Sequence, residues 1–298
     1  MCSSDLVDES IHFGAVVCLG RSGDIEFSIG DPAVPVYPRS STKPLQALAM
    51  VRAGLSLPPQ QLALVCASHN GEAVHLATAR EILAGGGLDE TALRNTPSWP
   101  LHEESMREAV RNGTPRSSLQ MNCSGKHSGM VVTCAMNGWD LPGYLDPHHP
   151  LQELITETVH DACGEPASSI GTDGCGAPAH VISLVGLARA FRNIATGALG
   201  DAGLQIHHAM SLHSHMVGGT GRHVTEICSA VPGLMAKDGA ESVYAAALPD
   251  GRAVALKISD GSSRGQATVL LAALKKLGVD VSAVPDSVRS EEHTSELQ

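Results

Sequence analysis

A serine and a lysine three residues apart, Ser40 and Lys43, stand at the head of an apolar, helix-like stretch in PRSSTKPLQALAM. Residues at positions i and i+3 lie on one face of a helix, so the lysine amine can reach the serine hydroxyl. A serine becomes a nucleophile when a base takes its proton, and a lysine can be that base only when burial or a nearby cation keeps it neutral. The spacing fits a nucleophile–base pair, but it also fits a helix-capping serine beside a solvated lysine.

Two later motifs could belong to the same site. CASHNGE contains Ser68, His69 and Asn70, and ALKISDG contains Lys257 on a predicted strand. The order Ser-x-x-Lys, Ser-x-Asn and strand lysine is typical of penicillin-recognising serine enzymes. KISDG is not a Lys-Thr-Gly triplet, however, and Ser40 and Ser68 are close in sequence. A loop serine in an Asn-Gly turn and an exposed strand-end lysine explain the same residues, but together the three motifs favour one shared active site.

Two further motifs could hold a metal ion. MNCSGKHSGM contains Cys123, Lys126 and His127, and GTDGCGAP contains Asp173 and Cys175. Zinc prefers thiolate and imidazole ligands in a tetrahedral shell, and a site with three protein ligands leaves one position for water. The chain has no Cys-x-x-Cys pair, so two isolated core cysteines fit the spacing as well.

The elements that must position these residues divide into strands near both ends and helices between them. We predict a hairpin from IHFGAVVCLG and DIEFSIG, and a meander from GLMAKDG, ESVYAAALPDG and RAVALKISDG with a turn at PDG. The predicted helices span 43–54, 58–66, 72–85, 103–112, 127–137, 150–163, 178–192, 202–216 and 262–277.

This order predicts an α+β fold, in which the terminal strands share one antiparallel sheet and the middle of the chain forms a helical lobe. We expect a single catalytic unit over residues 7–288. Its sheet lobe would comprise about 7–66 and 220–288, and its helical lobe about 67–219. The cleft between the lobes is the expected ligand site.

Composition excludes several classes of protein. The formal net charge of −11 argues against a nucleic-acid partner, because phosphate binding requires clustered lysine and arginine. The longest apolar run, near VISLVGLARAF, is broken by arginine and is too short to span a membrane. The cysteines are scattered through a large chain, which favours a reducing compartment, and we expect the cytosol.

The ends of the chain read differently from the rest. Residues 2–6 (CSSDL) and 289–298 (RSEEHTSELQ) resemble translations of a DNA-sequencing adapter, and we predict that they are not native. A leader peptide at the true N-terminus would then be missing.

Six motifs in order carry a family resemblance over nearly the whole chain: PRSSTKPLQ, CASHNGE, MNCSGKHSGM, GTDGCGAP, MVGGTGR and KDGAESVY. This set resembles the rhizobial-type, thermolabile L-asparaginases of the asparaginase II family. The resemblance implies hydrolysis of L-asparagine to L-aspartate and ammonia, a fold similar to that of serine β-lactamases and glutaminases, and a homodimer.

The resemblance also assigns roles to the residues found above. It pairs Ser40 with Lys43 and Ser68 with Lys257 as two Ser–Lys tandems. It makes Cys123, Lys126 and Cys175 the ligands of a zinc ion, with water as the fourth ligand. The zinc would support substrate binding and not perform the attack. Arg39, His127 and Asp173 fall at polar site positions of the family and would orient the substrate or the ligands. Apart from the resemblance, we expect His69 and Asn70 to bind or orient the substrate.

We therefore expect one of the two serines, activated by a neutral lysine, to attack the side-chain amide of asparagine. Three alternatives stay open from the sequence. They are a glutaminase, a penicillin-interacting serine hydrolase of the same fold, and a zinc-stabilised binding protein without catalysis.

Overall fold

The computed structural model describes residues 11–289. The predicted adapter-like ends lie outside this range, apart from Arg289. The strands are β1 (Gly14–Leu19), β2 (Ile25–Ile29), β3 (Pro35–Val36), β4 (Ser169–Thr172), β5 (Pro178–Ser183), β6 (Met235–Gly239), β7 (Val243–Ala247) and β8 (Ala253–Ile258). The α-helices are α1 (Lys43–Arg52), α2 (Pro59–Val65), α3 (Ala73–Gly85), α4 (Glu103–Arg111), α5 (Ser124–Asn137), α6 (Pro150–Cys163), α7 (Leu184–Ala195), α8 (Asp201–Leu212), α9 (Ser214–Val217), α10 (His223–Ala230), α11 (Gln266–Lys276) and α12 (Asp286–Arg289).

Strands from both ends of the chain form one antiparallel sheet in the order β2-β1-β8-β7-β6. The buried run of β1 pairs with β8, and Val17 lies opposite Ala255. The predicted meander is confirmed, and its β7–β8 turn places Gly251 at a φ of +95°, a conformation that glycine adopts without strain. The predicted α+β architecture is therefore confirmed.

Helix α7 covers this sheet by packing against β1, β7 and β8. The residue before its first turn, Ser183, caps the helix, because its hydroxyl accepts a hydrogen bond from the backbone N–H of Gly186 at 2.9 Å. The predicted helix over 178–192 is wrong in its first six residues, because 178–183 is strand β5. Val181 and Ile182, two β-branched residues, are buried in that strand and favour the extended conformation.

A second, smaller sheet has the order β3-β5-β4 and was not predicted. It has a direct consequence for the site. Arg39 follows β3 and Asp173 follows β4, and both strands pair with β5. The sheet therefore places these two side chains at neighbouring positions although they are far apart in sequence.

The helical part follows the prediction closely in several places. Helix α6 spans the predicted residues 150–163; its first turn is capped by the His149 side chain and its end is marked by Gly164 at a φ of +71°. The predicted helix 202–216 is interrupted at His213. Helix α5 begins at Ser124, three residues before the predicted start.

Helix α5 is buried over most of its length and packs closely against α2. A β-carbon on Gly125 would lie 2.3 Å from the carbonyl oxygen of Leu64, so only glycine allows this approach. None of the helices between residues 11 and 289 combines the length and the apolar character needed to cross a membrane.

Candidate active site

A buried lysine and a serine form the centre of the site. Lys43 is the first residue of α1 and is only 1% exposed. Its Nζ donates a hydrogen bond to Ser68 Oγ at 2.9 Å and another to the carbonyl oxygen of Ala67 at 2.5 Å. The serine follows α2 and is 4% exposed. The hydrogen bond joins Lys43 to Ser68, whereas the resemblance pairs this lysine with Ser40.

Ser40 faces the same cavity as Ser68. The cavity has a volume of about 340 Å³, and its lining includes Ser40, Ser68, Arg222, Asp238, Glu241 and Ser242. Ser40 lies in a short 3-10 helix, Arg39–Thr42, directly before α1. Two hydroxyls thus face one small polar space, and one of them is hydrogen-bonded to a buried amine.

The second lysine near this pair is Lys237, which sequence reasoning missed. It lies on β6, is fully buried, and its Nζ donates to the Asp238 carboxylate at 2.5 Å and to the Asp238 carbonyl at 2.7 Å. Burial lowers the pKa of Lys237 to about 8, and the positive charge of Lys43 adds to the shift. A signal for this residue was present, because Lys237-Asp238-Gly239 has the Lys-x-Gly spacing that KISDG lacks.

Lys257 occupies a different place. It lies on β8, is half-buried, and its amine donates to the carbonyl oxygen of Ile258. Burial lowers its pKa, while the charges of Glu241 and Asp260 act in the opposite direction. Among the described residues it makes no hydrogen bond to Ser68, so the tandem suggested by the resemblance is absent from this structure.

Charged groups next to Lys237 form a continuous ion-pair chain. Asp238 accepts from Lys237 at 2.5 Å and from Arg222 Nη2 at 2.6 Å. Burial alone would raise the pKa of Asp238, but the two positive charges hold it well below its usual range. Arg222 also reaches the carbonyl oxygen of Ser68 at 3.4 Å. These ion pairs, together with the hydrogen bond of Arg222, therefore connect strand β6 to the loop that carries Ser68.

The predicted metal ligands lie together. Lys126 Nζ is 3.1 Å from Cys175 Sγ, and all three of Cys123, Lys126 and Cys175 are buried. The two thiols share a hydrogen bond, which lowers the pKa of Cys123 well below its usual range and raises that of Cys175. Lys43 also contributes to the shift at Cys123, so this cluster adjoins the lysine–serine pair.

Arg39 and Asp173 flank the thiol cluster. Arg39 Nη2 is 2.9 Å from Asp173 Oδ1, and Asp173 Oδ2 lies 3.7 Å from Cys175 Sγ. Arg39 has a φ of +54°, a left-handed conformation that costs a non-glycine residue on the order of 1–3 kcal/mol. The ion pair holds this strained residue directly before Ser40.

His127 is buried beside the same cluster. Its Nδ1 is 2.8 Å from the hydroxyl of Tyr144, and its Nε2 has no hydrogen-bond partner among residues 11–289. Burial lowers the pKa of His127 to about 4, so the ring is neutral at pH 7.

His69 and Asn70 hold the loop that follows Ser68. His69 Nδ1 accepts from the N–H of Gly71 at 3.0 Å, so its Nε2 carries the proton and donates to Ser124 Oγ at 2.9 Å. Asn70 Nδ2 donates to the carbonyl oxygen of Thr220 at 2.8 Å. These bonds connect the Ser68 loop to α5 and to the glycine-rich 218–221 turn, so both residues position the site without lining its cavity.

The clustered donors fit a zinc ion by their chemistry. Cys123 and Cys175 belong to one buried cluster, and the amine of Lys126 contacts the sulfur of Cys175. Thiolates are ligands that zinc prefers. Within the described part of the chain, no group of three or more histidine, cysteine, aspartate and glutamate side chains could hold a metal. The predicted set contains two such residues and a lysine, and it is the lysine that would complete it.

Comparison with known proteins places the chain in a family. The family model for L-asparaginase II matches residues 4–297, which is nearly the whole chain. No significant match was found among curated proteins.

Solved structures with similarity to this chain carry two kinds of name. A putative beta-lactamase from Bacteroides dorei DSM 17855 is 13% identical, with a TM-score of 0.48 over 95% of this chain and 92% of that one. A beta-lactamase from Mycobacterium bovis is 16% identical, with a TM-score of 0.40 over 89% of this chain and 93% of that one. Mglu is 15% identical, with a TM-score of 0.38 over 88% of this chain, which spans 60% of the length of Mglu.

Proposed function

The chain belongs to the L-asparaginase II family and is an amidohydrolase, and from this premise we propose that it hydrolyses L-asparagine to L-aspartate and ammonia by serine–lysine catalysis. The observation that supports the mechanism best is the hydrogen bond between Lys43 Nζ and Ser68 Oγ. The pair is buried, and its serine lines the cavity. A nucleophile must lie within hydrogen-bond reach of its base, as Ser68 does.

In the proposed reaction, Ser68 Oγ bonds to the side-chain amide carbon while Lys43 Nζ accepts the hydroxyl proton. The carbon–nitrogen bond then breaks, and ammonia leaves with the proton that Lys43 returns. Water hydrolyses the ester, which releases aspartate and restores the serine. Ser40 lines the same cavity, and we assign it to binding the substrate at the reacting group.

Lys237 makes this chemistry accessible near neutral pH. Burial, with a further contribution from the positive charge of Lys43, makes Lys237 lose its proton below the usual lysine range. A lysine that has lost its proton can act as the base. The role that the resemblance gives to Lys257 passes to Lys237 in this proposal.

We further propose that Cys123, Lys126 and Cys175 bind zinc. When bound, zinc supplies a positive charge that orients polar groups beside the cavity. The protein's own contribution is to bury the two sulfur atoms and the amine together and to exclude water from them. A homodimer and a cytosolic location remain predictions from the family resemblance and from the cysteine usage.

The test is ammonia release from L-asparagine and from L-glutamine, measured side by side with the purified protein. The proposal predicts steady turnover of asparagine and a lower kcat/KM for glutamine. A higher kcat/KM for glutamine would make the protein a glutaminase. Release of ammonia from neither amide would reject the hydrolase proposal.

A further inference from the structure

The hairpin between β6 and β7 ends in an unusual turn. Its tip residues Glu241 and Ser242 have φ values of +59° and +55°. Two consecutive residues with side chains in the left-handed region are uncommon, because glycine or asparagine usually takes such positions. The turn therefore keeps side chains where glycines would fold more easily, and the question is what these side chains do.

Both side chains face the cavity that contains the serines. Ser242 is only 2% exposed, and its hydroxyl has no hydrogen-bond partner among the described residues. A buried hydroxyl without a partner is costly, and a ligand in the cavity could satisfy it.

Glu241 is the carboxylate of the cavity lining that has no ion-pair partner in the described part of the chain. Asp238, the other carboxylate in the lining, is already neutralised by Lys237 and Arg222. Within residues 11–289, Glu241 makes no ion pair within 4.0 Å, and Lys257 acts on it only through charge at longer range.

The position of this carboxylate depends on a neighbouring glycine in the cavity lining. A β-carbon on Gly261 would lie 2.4 Å from Glu241 Oε2, so a larger residue there would displace the carboxylate. Arg222, which pairs with Asp238, places a guanidinium in the same lining. A small cavity lined by this guanidinium and by the carboxylate of Glu241, which has no ion pair within residues 11–289, matches a zwitterion.

We propose that Glu241 is a specificity-determining residue that binds the α-ammonium group of an amino-acid substrate, with the Ser242 hydroxyl as a second acceptor. This inference deepens the proposed amidohydrolase function and rests on it for the nature of the substrate. It restricts the substrates to amides that carry a free α-amino group.

The test measures binding without turnover. Calorimetric titration compares L-aspartate, the product of the proposed reaction, with succinate, which has the same two carboxylates and no amine. The variants are Glu241→Gln, which keeps the shape of the side chain, and Glu157→Gln, which removes an exposed glutamate on α6 as a control. Thermal unfolding of each variant reports whether the fold is kept.

The wild-type protein and the Glu157→Gln variant should prefer aspartate over succinate. In Glu241→Gln, aspartate binding should weaken by about tenfold or more, while succinate binding stays within about twofold. The assignment of Glu241 would be overturned if the Glu241→Gln variant preferred aspartate over succinate as strongly as the wild type does. It would also be overturned if the wild type bound both ligands equally well. Ammonia release is scored separately, so a protein that binds aspartate through Glu241 without turnover would reject the hydrolase function alone.

Discussion

At the scale of single residues, the site depends on buried amines. Lys43 and Lys237 are both removed from water, and the negative charge that compensates them belongs to Asp238. Burial of a charged amine is unfavourable unless it is paired, so one aspartate beside two lysines favours the loss of a proton. Such an arrangement is poor for stability and suitable for a general base.

Replacing either buried lysine tests this role. We expect Lys43→Met to lower kcat on asparagine by about 10²–10⁴-fold, because the base that takes the serine proton is removed. Lys257→Met is the matched control, since Lys257 has no hydrogen bond to Ser68, and its kcat should stay within a few-fold of wild type. Steady-state ammonia release measures both. Equal losses in the two variants would contradict the assignment of the base.

The pH dependence follows from the pKa of Lys237, which burial and Lys43 lower to about 8. Lys237 loses its proton as the pH rises through that value and can then accept one from the active site, so kcat/KM should rise as the pH increases through about 8 and fall at lower pH. In Lys237→Met this titrating amine is absent, so the rising limb near pH 8 should be lost. An unchanged limb in that variant would show that Lys237 is not the titrating group.

At the scale of elements, the contact between α2 and α5 aligns the two halves of the site. Helix α2 ends just before Ser68, and α5 begins at the thiol cluster with Cys123 as its capping residue. Gly125 allows these helices to approach so closely that backbone touches backbone. The distance between the serine and the cluster is therefore set by a helix crossing.

We expect Gly125→Ala to destabilise the fold by about 1–3 kcal/mol or more, because the added methyl group overlaps the Leu64 carbonyl. Gly85→Ala is the control, since Gly85 ends α3 with no atom within 4 Å of the added carbon. That change should be neutral or slightly stabilising. Urea unfolding compares the two, and equal stability would show that α5 can move away from α2 without cost.

Local sequence signals predicted the elements well where a single segment decides the structure. The PDG turn between β7 and β8 and the limits of α6 follow from neighbouring residues. Strand β5 was mistaken for helix because a short, fully buried apolar run has no clear period, and only its partners β3 and β4 decide its conformation.

The candidate site was predicted in its residue types and less well in its pairing. Ser68, Lys43 and the thiol cluster came from motifs and the family resemblance. The order of motifs in the sequence could not decide between Lys257 and Lys237, because both lysines lie on strands of one sheet. Only the folded sheet shows that Lys237 is the lysine whose amine lies near Lys43.

At the scale of the whole molecule, the site joins five segments that are separated along the chain. Residues 39–43, 66–70, 123–127, 173–175 and 237–238 meet only when the sheet, the small sheet and the helical part are assembled. A ligand that binds these segments together must stabilise the native state over the unfolded state.

The purified protein should therefore contain zinc, and zinc should raise its thermal stability. We expect about one zinc per chain, its loss in Cys123→Ser and Cys175→Ser, and its retention in Cys163→Ala, because Cys163 is buried at the end of α6. Chelation should lower the thermal unfolding midpoint of the wild-type protein. Elemental analysis and thermal unfolding test this, and full zinc content in the two cysteine variants would place the metal elsewhere.

The most direct measurement is acid quenching during asparagine turnover, followed by mass mapping of the peptides. If the amine of Lys43 activates the Ser68 hydroxyl, the quenched protein should carry a β-aspartyl ester on Ser68. The Ser68→Ala variant should yield neither the ester nor ammonia. Normal ammonia release from Ser68→Ala, or an ester on a different residue, would contradict the account.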